Sequence, residues 1–153
     1  MNWEAFTRFS SLDIQVHWAT AVIAFAVGLV QLLASKGTTG HRWRGRLWVA
    51  LMFATATAAF FIRHGEVTGL DYLSLKGMSW IHLFVLLTFV QLPLGLWGAM
   101  TGRIRTHKFH MVGAFLGALV IAGAFTFIPG RRMHLLFFGD AEQVEQWEEW
   151  YGR

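Results

Sequence analysis

Four stretches of roughly twenty residues each, nearly free of formal charge, run through this chain of 153 residues, and each is long enough to cross a hydrocarbon layer ~30 Å thick. Only 14% of the residues are charged, against about a quarter in soluble domains that must keep their surface wet. Soluble and disordered classes are excluded, and the expected class is an all-α integral membrane four-helix bundle. The 13 Lys and Arg sit mainly in turns between apolar spans, where membrane topology demands them, so the basic balance does not point to nucleic acid. Without a single Cys, disulfides, thiolate metal sites and Cys nucleophiles are excluded as well.

The spans are expected at residues 14–35, 43–63, 79–100 and 109–128, within one membrane domain covering residues 1–153. The first is too long and too weakly flanked for a cleaved signal segment, and further apolar spans follow it. Gly37 and Gly40 break the chain in a basic turn. The uncharged part of the second span, residues 47–62, is short, so its helix should begin near Trp43 with Arg44 and Arg46 snorkelling outward. Pro93 should kink the third helix, and Pro129-Gly130 should stop the fourth. Asp140 is placed to cap an amphipathic tail helix over residues 140–151, whose Val144, Trp147, Trp150 and Tyr151 share one face and lie along the membrane interface.

Seven bases, Lys36, Arg42, Arg44, Arg46, Arg103, Arg105 and Lys108, crowd two short turns with no acid among them. All nine acids and the remaining six bases belong to the other end. The positive-inside rule therefore puts the basic turns in the cytoplasm and both termini outside it.

The runs H-R-W-R-G-R-L-W-V-A-L-M at 41–52, S-W-I-H-L at 79–83, H-K-F-H-M at 107–111 and I-A-G-A-F-T-F-I-P-G-R-R-M at 121–133 resemble a family of small bacterial integral membrane proteins, domain-of-unknown-function family 2306. The resemblance implies a four-helix membrane protein of the bacterial inner membrane and transfers no activity.

Ionisable groups at membrane depth are functional candidates by default, and here they are nearly all His. Alternating helix directions bring His17 and His82 to similar depth at the terminal end, and His41 and His110 at the basic end. Each pair suits the axial ligation of a haem b between two helices, with Ala19, Ala21, Gly28, Gly113 and Gly117 giving room for the ring. The arrangement resembles that of the cytochrome b561 group, and it implies an electron carrier. A second reading is a bare zinc or copper ion held by His107, His110 and His41, the first two at i and i+3 on one helical face, with His17, His64, His82 and His134 as an analogous set at the other end. In the third, each His at a helix entrance bonds a neighbouring carbonyl, and the protein is a cofactor-free accessory or assembly subunit of a larger respiratory or photosynthetic membrane complex.

No Asp or Glu lies inside a span, and no phosphate loop, nucleophile elbow or HExxH motif is present, so no catalytic residue is assigned. Gln31 and Gln91 sit deepest among the uncharged polar residues, suited to interhelical hydrogen bonds or to a quinone. Gly113-x-x-x-Gly117 suits packing within the bundle. The Trp residues are expected as interfacial anchors, with Trp48 and Trp97 nearer helix ends. Beyond the lipid bilayer, the expected partner is a membrane protein or a quinone.

Overall fold

A computed structural model describes residues 2–62, 81–129, 131–140 and 142–146. Among them every regular element is helical: α1 (Trp3–Phe9), α2 (Leu12–Leu33), α3 (Thr39–Phe61), α4 (Ile81–Met100), α5 (Ile104–Ala114), a π-helical segment (Phe115–Ile121), α6 (Ala122–Phe125) and α7 (Arg132–Phe138). His64, Trp80, Trp147, Trp150 and Tyr151 lie outside the described residues.

Among the described residues, three helical runs are long and apolar enough to cross a membrane: Leu12–Leu33, His82–Met100 and Ile104–Phe125. The packed interior takes only 11% of the apolar window of the first, so its Val22, Ile23, Phe25, Leu29 and Val30 face outward. An apolar exterior around a small interior is what lipid, and not water, stabilises. α3 is equally long, but His41, Arg42, Arg44 and Arg46 in its first two turns make it the least apolar of the long helices, and it begins four residues before the expected Trp43.

Each helix end has a local cause. The ammonium of Lys36 donates to the carbonyls of Gln31, Leu32 and Ala34, which have no amide partners beyond the end of α2. Gly37 then turns the chain with φ of 77°, and the Thr38 hydroxyl accepts the amide of His41 to cap α3. Gly102, with φ of 71°, turns α4 into α5. At the far end Asp140 and Gln143 cap one another's amides at 2.8 and 3.4 Å, and residues 142–146 are helical as the Asp140 signal implies.

The long helices pack as a ring in chain order, α2 on α3, α3 on α4, α4 on α5, with the π segment returning to α2. At its centre Trp48, Met52, Leu92, Phe115 and Leu119 form one buried cluster. Trp48, expected nearer a helix end, is 4% exposed and fills the middle. The fourth helical run departs from regular α geometry. A π turn holds more residues than an α turn, so the face that α5 gives to α4 swings round, and Phe115 stacks on Phe25 of α2 at 5.6 Å.

Close approach rests on glycine. A β-carbon on Gly98 would fall 2.7 Å from the backbone nitrogen of His107 and 3.1 Å from the carbonyl oxygen of Arg103, so backbone touches backbone between α4 and α5. Gly113 receives the Gln91 carboxamide, and Gly117 lies against Leu87 and Phe84, so the Gly113/Gly117 pair packs within the chain. α1 and α7 meet as well: Asn2 donates to the carbonyls of Leu135 and Gly139 at the end of α7, and Phe6 and Leu136 are buried there.

Gly98→Ala should therefore destabilise the detergent-solubilised protein by about 1–3 kcal/mol in unfolding measurements, the scale of overpacking in a rigid contact. Gly123→Ala, with nothing within 4 Å of the added carbon, should stay within about 0.5 kcal/mol of wild type.

Candidate functional site

Polar side chains inside this apolar shell gather in two layers. Toward the terminal end, the His17 Nδ1–H of α2 donates to the Thr55 carbonyl of α3 at 2.9 Å. The Thr55 hydroxyl lies 2.9 Å from both the Thr20 hydroxyl and the Leu51 carbonyl, so two threonines extend the same α2–α3 seam. His82 is buried in the first turn of α4. Phe53 of α3 meets Phe89 of α4 with ring centroids 5.8 Å apart.

The basic end carries a denser network. The Gln31 carboxamide nitrogen donates to His41 Nδ1 at 2.7 Å and to the His41 carbonyl at 2.8 Å, and the Arg44 guanidinium reaches its oxygen at 3.3 Å. Since an amide nitrogen only donates, His41 Nδ1 accepts and the proton of the neutral ring sits on Nε2. His107 is the opposite tautomer: its Nδ1–H donates to the Gly95 carbonyl of α4 at 2.9 Å, leaving Nε2 a lone pair. The two rings meet edge to face with centroids 6.3 Å apart. His41 therefore meets His107, and not His110 as the depth argument expects. His110 lies almost a full turn further along α5, beside Phe109, with its Nδ1 buried and without a hydrogen-bond partner among the described residues.

These positions bear on each group the sequence suggests. Two of the three imidazoles of the proposed metal set come together, and among the described residues no three His, Asp or Glu converge as a metal cage. Gly28, expected to give room for the ring, is closed by the Trp48 indole and the Phe115 ring, and Gly113 by Gln91. At the terminal end the donor chemistry of His17 suits Nε2 ligation, because an Nδ1–H anchored on a carbonyl is how ligating imidazoles are held.

Several partners escape sequence reading. Gln31 and Arg44 stand out as a deep polar residue and a topology determinant, yet their shared contact needs the helix hairpin to be folded. Thr20 and Thr55 carry no signal beyond being hydroxyls in helices. The aromatic roles of the basic end were partly legible: Arg46 lies over Trp43 at 5.0 Å and Arg103 over Trp97 at 4.3 Å, as anchors between headgroups and water.

Burial, and then the nearby charges of His107, Lys36 and Arg44, hold His41 below the usual imidazole value of about 6.5. The folded state thus prefers the neutral ring, and protonation would set N–H against the Gln31 amide. Its stabilising share is present above pH ~6.5 and is lost as pH falls from there through the lowered value. A double-mutant cycle of Gln31→Leu and His41→Leu should give a coupling of about 0.6–1.7 kcal/mol at pH 8, the range for polar pairs between membrane helices. At pH 5 that coupling should shrink; equal coupling at both values would contradict the neutral His41 assignment.

Neither a curated protein nor a solved structure matches this chain. The model of one family, described as a predicted membrane protein (DUF2306), matches residues 14–150, from the first turn of α2 beyond α7. With nearly the whole length covered, and with an apolar exterior around a histidine-fastened interior, the chain belongs to this family of predicted membrane proteins.

Proposed function

We propose that this protein is a four-span accessory or assembly subunit of a larger membrane complex, with histidines that fasten helices. The observation that carries this reading is the use of the imidazole nitrogens. His17 ties α2 to α3, His41 ties α3 to α2, and His107 ties α5 to α4, while side chains fill the volume between them. These three histidines hold helices together. What remains for function is the outer surface, where Trp97, Phe109 and Leu86 project outward. The α1–α7 contact, which puts both ends of the described chain together, supports an even number of spans, with α3 as the fourth. With the basic turns in the cytoplasm, both termini lie outside it.

One observation favours a second reading, an electron carrier with a haem b at the terminal end. His17 has its Nδ1–H anchored on Thr55, and His82 is only 4% exposed. His17 and His82 would hold the group there, and a bound haem would supply one-electron transfer.

The protein made in a haem-replete host should contain less than a tenth of a haem per chain, show no reduced-minus-oxidised b-type band, and migrate on a blue-native gel within a larger complex after mild solubilisation. A b-type band lost in His17→Ala would establish the carrier reading instead. Migration as the isolated chain in native membrane extracts would contradict the subunit reading.

A further inference from the structure

At the basic end, most cations are engaged within the chain. Lys36 caps α2, Arg44 reaches Gln31, Arg46 lies over Trp43, and Arg103 over Trp97. Arg105 and Lys108 are different: both are exposed, and neither bonds to another described residue. They stand at the head of a shallow groove on the outward face of α5 and the π segment, continued by Phe109, Val112, Gly113 and Leu116. These positions follow the three- and four-residue spacing of one helix stripe. Phe109 and Leu116 are 74% and 47% exposed, so the groove is open along its length.

From this arrangement we infer that the groove is a binding site for one anionic phospholipid, its phosphate between Arg105 and Lys108 and an acyl chain along Phe109, Val112 and Leu116. Charge and length both select this occupant. The described acids Glu4, Asp13, Asp140, Glu142 and Glu145 belong to the opposite end, so nothing described there competes for the two cations. A guanidinium beside an ammonium presents the donors that a phosphodiester accepts. From Arg105 to Leu116 the stripe rises about 16 Å, close to half of a ~30 Å hydrocarbon core, and thus to the depth of one leaflet. A packed protein helix would bury both cations without a counter-charge, whereas an anionic lipid neutralises them at headgroup level.

The test uses the full chain in neutral detergent, titrated with phosphatidylglycerol, phosphatidylcholine or inorganic phosphate and followed by native mass spectrometry and thermal unfolding. Two interfacial bases should give phosphatidylglycerol about a thirtyfold lower half-saturation concentration than phosphatidylcholine. The preference should vanish in Arg105→Gln/Lys108→Gln and persist in Arg42→Gln, a base of the same end outside the groove. Inorganic phosphate should give no shift, since it has no chain to place in the groove. Equal affinity for the two lipids, a preference that survives the double substitution, one that Arg42→Gln also removes, or a phosphate response equal to that of the anionic lipid would each overturn the inference.

Discussion

The contact on which this bundle depends is the backbone approach of α4 and α5 at Gly98. In lipid, apolar side chains gain little by leaving their surroundings, because those surroundings are equally apolar, so helices associate through close packing and shared polar bonds. Gly98 lets the two backbones touch beside His107, and that approach brings the His107 ring within reach of the Gly95 carbonyl. Gly28 does the same for the other half of the ring by accepting the edge of Trp48 and Phe115. Once these approaches are made, the space beside Gly28 is filled by Trp48 and Phe115.

The polar side chains add direction to this packing. Each histidine whose nitrogen partner is described bonds across a helix boundary, and the acceptors are backbone carbonyls or a side-chain amide made available by the geometry. Burial in an apolar medium raises the cost of leaving such a group unpaired. The buried, unpartnered Nδ1 of His110, Oε1 of Gln91 and Nε1 of Trp48 mark where the interior is least satisfied among the described residues.

Apolar span length and the spacing of basic turns made the all-helical membrane class legible, because both follow directly from the cost of charge in lipid. Asp140 and the small-residue spacing of Gly113 and Gly117 were readable for similarly local reasons. What escaped was register. The depth of a histidine from sequence counts residues from an assumed helix start, and α3 begins at Thr39 and α5 at Ile104, each four or five residues before the expected start. With those earlier starts, His41 meets His107. Trp48 escaped for a different reason: composition assigns Trp to interfaces on average, whereas one ring's position is decided by the glycine opposite it.

Whether the histidines act as fasteners is decided most directly by their tautomers. Nitrogen-15 NMR of the protein in lipid nanodiscs, with each ring assigned by a His→Gln variant, reads which nitrogen carries the proton. At pH 7.5 the fastener arrangement predicts neutral rings protonated at Nδ1 for His17 and His107 and at Nε2 for His41. An Nε2 proton on His17 or His107, or an Nδ1 proton on His41, would contradict it.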